Sequence, residues 1–184
     1  MFEAEPVWYY YGNMNARIDK QLIKAALIAA SYSALCALLQ PISFGPVQLR
    51  VAEGLSLTVL YTYAAVPGLF IGCLITNLMS PYGLLDIIGG SLTTLIAAVL
   101  GYHLKDKGKF LAGLPFVLLN AVIISLIICL QSDMRLFWIQ AVSIGAGEIV
   151  SVWGVGLPMC YVIDKNTKLR EFITDKADTA RDGQ

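Results

Sequence analysis

Three carboxylates stand within or at the edge of long apolar runs: Glu53, Asp86 and Glu148. A charge at mid-bilayer costs about 2.5–3.5 kcal/mol on insertion scales, so such residues usually mark a ligand or ion path. Glu148 is the strongest of the three. It lies within Gly145-Ala-Gly-Glu148-Ile-Val-Ser151, where glycines let a ligand or a neighbouring helix approach closely. The bland alternative is a buried Glu hydrogen-bonded for packing alone. Asp86 falls in the first turns of a helix, where the dipole favours a negative charge. Asp86, Gly90, Thr93, Ala97 and Gly101 share one small, polar face, which suits a bundle interior better than lipid. Glu53 follows Arg50 by three residues. Either the two form a local ion pair at the interface, or both point into a pocket. Asn77 and Asn120 are amides in apolar runs, suited equally to interhelical hydrogen bonds and to ligand contact. Trp153 and Trp138 offer flat faces for stacking, although Trp138 fits an interfacial anchor better. His103, the only histidine, sits beside Lys105 as an interfacial residue.

These groups need helices to hold them. Only 14% of the 184 residues are charged, against about 25% in a soluble domain. From Gln21 to Ile163 basic residues occur only at Lys24, Arg50, Lys105–Lys109 and Arg135. A transmembrane helix takes roughly 20 apolar residues, so this stretch holds five or six crossings and no soluble domain. The expected helices are Lys20 to Leu39, a run from Val51 to Met79, Ser80 to Tyr102, Leu111 to Leu130 and Leu136 to Ile163. As one helix the run 51–79 would be about 43 Å long, too long for an upright span. Basic residues favour the cytoplasmic side. Arg17, Lys20 and Lys24 flank the first helix, Lys105, Lys107 and Lys109 follow the fourth, and Lys165, Lys168 and Arg170 follow the last. An even number of crossings must separate these clusters, so the run 51–79 is expected to cross twice and turn at Pro67-Gly68. The expectation is an all-α membrane protein of six helices with both termini cytoplasmic. Its divisions are a tail at 1–19, a membrane domain at 20–163 and a cytoplasmic tail at 164–184.

Other features bound the function. Met14 begins a more ordinary start than Met1, so residues 1–13 are expected to be a non-native extension or a mis-assigned start, and no signal peptide is expected. The four cysteines, Cys36, Cys73, Cys129 and Cys160, lack metal-type spacing and are expected to be small buried hydrophobes. The balanced charge gives no hint of nucleic acid. No phosphate loop is present, so ATPase activity is not expected in this chain. No metal cluster or nucleophile–base pair argues for an enzyme. Ala25, Ala26, Ala29, Ala30 and Ala34 place small residues four apart on the first helix. Such faces let helices approach closely, within the chain or against another subunit.

Three segments carry a family resemblance. They are Phe44-Gly-Pro-Val-Gln-Leu-Arg50-Val-Ala-Glu53-Gly, Pro67-Gly-Leu-Phe-Ile-Gly-Cys-Leu-Ile-Thr-Asn77 and Ser80-Pro-Tyr-Gly-Leu-Leu-Asp86-Ile-Ile-Gly-Gly-Ser-Leu. With the region of Glu148, they resemble the QueT family, substrate-binding (S) components of energy-coupling factor (ECF) transporters. The resemblance covers about residues 20–163. It implies a six-helix S component in the bacterial cell membrane, a membrane coupling subunit and two ABC ATPases as partners, and ATP consumed by those partners. It implies docking through an alanine motif that maps best onto Ala26 and Ala30. The implied cargo is a queuosine precursor, a 7-deazaguanine such as the aminomethyl or cyano form, or queuine. A carboxylate accepts the ring N–H and exocyclic amine of such a base together, and Glu148 suits that role. Glu53 or Asp86 would suit an aminomethyl cation, and Arg50 or Gln48 the ring carbonyl. Competing readings are a stand-alone transporter using Glu148, Asp86 and Glu53 as a proton relay, an S component for another vitamin, and a membrane enzyme.

Overall fold

The computed structural model describes residues 7–40 and 49–175. All regular structure among them is helical. Helix α1 (Val7–Leu38) is followed by a ten-residue 3-10 helix, Val51–Leu60. Then come α2 (Ala65–Asn77), α3 (Gly83–His103), α4 (Lys109–Gln131), α5 (Met134–Lys165) and the short α6 (Thr167–Ile173). Both α4 and α5 are interrupted by π-helical stretches, Asn120–Ile124 and Val150–Val155. Among the described residues, four helices are long and apolar enough to cross a membrane: Ile18–Leu38 within α1, α3, α4 and α5. The 3-10 helix and α2 are shorter apolar helices.

The run 51–79 does divide in two, but the turn falls at Tyr61–Ala64 rather than at Pro67-Gly68. Pro67 sits in the first turn of α2, where a missing N–H costs no helix bond. The first helix begins at Val7, upstream of the expected Lys20.

The two short helices form the centre. Ala52, Leu57 and Val59 of the 3-10 helix and Ala65, Leu69 and Cys73 of α2 are almost wholly buried. Glycines permit the close packing. A methyl at Gly54 would lie 2.8 Å from Val155 Cγ1, and one at Gly156 would lie 2.8 Å from the Gly54 carbonyl. These contacts lock the 3-10 helix against the π stretch of α5. A methyl at Gly72 would lie 2.8 Å from Tyr32 Cβ, which fixes α2 against α1. The outside is apolar, with Leu22, Trp138 and Val142 each about 70% exposed or more. All four cysteines are buried and free. His103 lies exposed at the end of α3.

The lysine clusters gather at one end of the bundle. Lys109 Nζ pairs with Asp164 Oδ2 at 2.6 Å, and the Tyr61 hydroxyl donates to Asp164 Oδ1 at 2.8 Å. Lys105 lies over the ring of Tyr102, which packs edge-on against Tyr63. Asp175, two residues after α6, packs onto this end. Asp175 accepts hydrogen bonds from Gln21 (2.6 Å), Lys24 (2.9 Å), Thr62 (3.0 Å) and the Tyr63 N–H (2.9 Å). Its own N–H donates to the Tyr61 carbonyl.

Candidate functional site

The predicted polar residues meet in the half of the bundle away from the lysines. Glu53 is fully buried on the 3-10 helix. The Tyr32 hydroxyl donates to its Oε1, and Ser56 Oγ donates to its Oε2 at 2.9 Å. The second bond follows from the local winding, since residues three apart eclipse in a 3-10 helix. Both oxygens of Glu53 are therefore held by the protein.

Arg50, at the start of the same helix, reaches across to α3. Its Nη2 lies 3.7 Å from Asp86 Oδ2, and both side chains are buried. Ser80 Oγ also donates to Asp86 Oδ2. Asp86 occupies the first turn of α3, where the dipole stabilises it as expected. The rest of its face, Gly90, Thr93, Ala97 and Gly101, is buried too. Asn77, at the end of α2, donates to the Asp86 carbonyl at 3.1 Å. Asn77 thus joins α2 to α3.

Glu148 lies on α5 just before its π stretch and is 4% exposed. Asn120, the first residue of the π stretch in α4, lies beside it, while Glu148 Oε2 is buried without a hydrogen-bond partner. A methyl at Gly145 would meet Ala121 Cβ at 3.3 Å, so the glycine run lets α5 approach the irregular turn of α4. Glu53 and Arg50 lie within electrostatic range of Glu148. The 3-10 helix and both π stretches converge here. Non-helical backbone at membrane depth is tolerated where protein buries it or where it lines a cavity, and π turns are frequent at functional sites.

Six of the predicted residues, Arg50, Glu53, Asn77, Asp86, Asn120 and Glu148, thus belong to one buried polar assembly. Gln48 lies outside the described residues. The tryptophans stand apart from it. Trp138 is 76% exposed, and Trp153 packs on Phe110 with its indole nitrogen against Gly113. Sequence reasoning missed Tyr32, Ser56 and Ser80. Tyr32 had a signal, because a tyrosine inside an apolar helix rather than at an interface needs a buried partner.

On α1 the alanines divide. Ala25 and Ala29 are buried against α2, whereas Ala26, Ala30 and Ala34 are exposed on the other side.

A model of the QueT transporter family matches residues 22–165. A protein described as the queuosine precursor transporter QueT of Lactococcus lactis subsp. cremoris (strain MG1363) is 37% identical over 90 residues. That alignment covers 48% of this chain and 53% of the relative, so the chain spans about half the length of the curated relative it matches. No solved structure matches the chain.

Proposed function

The chain belongs to the QueT transporter family, and from that premise we propose that it is the substrate-binding component of an ECF-type importer for a 7-deazaguanine queuosine precursor. It is a multi-pass membrane protein rather than an enzyme of the family's making. In this reading all six apolar segments cross the cell membrane. The gathering of Lys24, Lys105, Lys109 and Lys165 at one end supports cytoplasmic termini. The acids then face the outer half, from which cargo arrives.

The observation that carries the proposal is Glu148, buried beside Asn120 with Oε2 left without a partner. A buried acceptor without a donor is costly. A base edge that presents a ring N–H and an amine side by side would satisfy it, with Asn120 orienting the carboxylate. The exposed stripe of Ala26 and Ala30 supports docking of a membrane coupling subunit, which would in turn bind two ABC ATPases. ATP would be spent by those subunits and not by this chain.

Buried acids also serve proton relays, so the deciding experiment is uptake. Cells expressing the chain with coupling subunits should accumulate labelled 7-deazaguanine, and cells expressing the chain alone should not. Concentrative uptake by the lone chain, abolished by a protonophore, would establish the secondary-transporter reading instead. Tight binding of a different vitamin by the purified chain, with no deazaguanine binding, would reassign the cargo.

A further inference from the structure

At the lysine end of the bundle, α5 stops as an apolar span at Lys165. The backbone of Asn166 is extended, and its side chain accepts from the Leu169 N–H to open α6. The helix therefore breaks where the apolar span ends. An open groove of about 460 Å³ lies at this break. That volume falls within the roughly 300–1,000 Å³ of small-molecule sites.

The groove joins apolar surface to positive charge. Tyr161 and Val162 of α5 line it, and both are exposed. Lys165 and Lys168 line it too, and among the described residues no acid does. The neighbouring carboxylate of Asp164 is engaged by Lys109 and Tyr61. Lys165 Nζ lies 4.8 Å from the centroid of the Tyr161 ring, so the ammonium is held at the rim of the apolar wall. On α6, Ile173 packs against the bundle core while Leu169 and Phe172 are exposed. Phe172 stands four residues after Lys168, on the same face. Apolar side chains and ammoniums thus meet where a membrane span ends.

An anionic phospholipid has the matching chemistry. Its phosphate offers oxygens and a negative charge to two ammoniums, and lysines just beyond a span are drawn to anionic lipid. Its acyl region continues along the apolar surface. A zwitterionic headgroup brings its own cation, which the two lysines would repel.

We propose that the groove between Tyr161 and Lys168 binds the headgroup of an anionic phospholipid. Lys165 and Lys168 meet the phosphate, and the exposed apolar residues of α5 and α6 meet the acyl region. The site goes beyond the transport reading and rests only on embedding in a membrane, so it stands whatever the cargo.

The test is native mass spectrometry of the purified full chain in detergent. The chain is titrated with phosphatidylglycerol and with phosphatidylcholine of the same acyl chains. Wild-type protein should bind phosphatidylglycerol tighter by about tenfold or more, as expected for two lysines at an anionic headgroup. The double variant Lys165→Gln/Lys168→Gln should lose most of that preference. Lys20→Gln/Lys107→Gln removes two exposed lysines that do not line the groove and should keep it. Inorganic phosphate in excess should not displace phosphatidylglycerol. Displacement would show a free-phosphate site and overturn the lipid assignment. Equal binding of the two lipids by wild type overturns the site. Equal loss of preference in both double variants does so too, because it would show a diffuse basic field. The wild-type comparison is decisive even if a variant fails to fold.

Discussion

The phenol of Tyr32 donates its hydrogen bond to Oε1 of Glu53, and neither residue has any exposure. This bond joins α1 to the 3-10 helix at the edge of the polar assembly. The opposite side of α1 carries Ala26 and Ala30 at the surface. One helix thus borders both the candidate site and the candidate docking stripe.

Tyr32→Phe leaves Glu53 Oε1 without its donor. Hydrogen bonds to charged groups are worth about 1.5–3 kcal/mol, so the variant should unfold at lower temperature by an equivalent amount. Thermal unfolding in detergent, followed by circular dichroism, checks this. Glu53→Gln keeps an acceptor for Tyr32 and should lose less. A Tyr32→Phe variant as stable as wild type would show that the bond contributes nothing net.

Glu148→Gln should weaken deazaguanine binding by about 1.5–3 kcal/mol, the range for a charge-assisted hydrogen bond. The substitution preserves shape, so folding should survive. Titration calorimetry reads the change. Unchanged affinity would remove Glu148 from the site.

Ala29 and Ala30 are neighbours with opposite surroundings. The Ala29 carbonyl would lie 3.1 Å from a methyl at Gly72, and Ala29 itself is 5% exposed. Ala29→Leu should destabilise the chain by about 1–3 kcal/mol through overpacking. Ala30→Leu should leave folding and ligand binding unchanged but disrupt co-purification with the proposed coupling subunit. An intact complex with Ala30→Leu would place docking elsewhere.

Burial alone would raise the Asp175 carboxyl, but the Tyr63 N–H, Lys24 and Gln21 together hold it below its ordinary value of 3.8. A carboxyl depressed by folding contributes its full stability above the unfolded value. That contribution is lost as pH falls through the lower folded value. The unfolding temperature of wild-type protein should therefore fall more on acidification below about pH 4 than that of Asp175→Asn. Parallel pH profiles for the two proteins would show that Asp175 adds no such stability.

Much of this architecture is written in residue type. The long apolar runs mark the helices, and the lysine spacing requires the run 51–79 to be divided. The acids that interrupt those runs, together with Asn77 and Asn120, meet in the fold because lipid offers them no partner. What the linear pattern does not carry is winding. An apolar decapeptide reads the same in 3-10, α or π form, so neither the turn at Tyr61–Ala64 nor the pairing that follows from it is visible in the sequence. For the same reason the sequence does not show that Ser56 stacks on Glu53 or that Arg50 reaches Asp86. The contacts of Asp175 are not visible in the sequence, because a polar residue after an apolar helix does not name its long-range partners.

The ten-residue 3-10 helix Val51–Leu60 has a mechanical consequence. It rises about 2.0 Å per residue, against about 1.5 Å for an α-helix, so ten residues span roughly 20 Å instead of roughly 15 Å. Its length is therefore a function of its pitch. Each residue that passed to α winding would take in about 0.5 Å of chain. At one end, Tyr61 is tethered through Asp164 and the Asp175 N–H. At the other end any such shortening would draw Glu53 and Arg50 against Tyr32 and Asp86, like a rope taken up between two cleats.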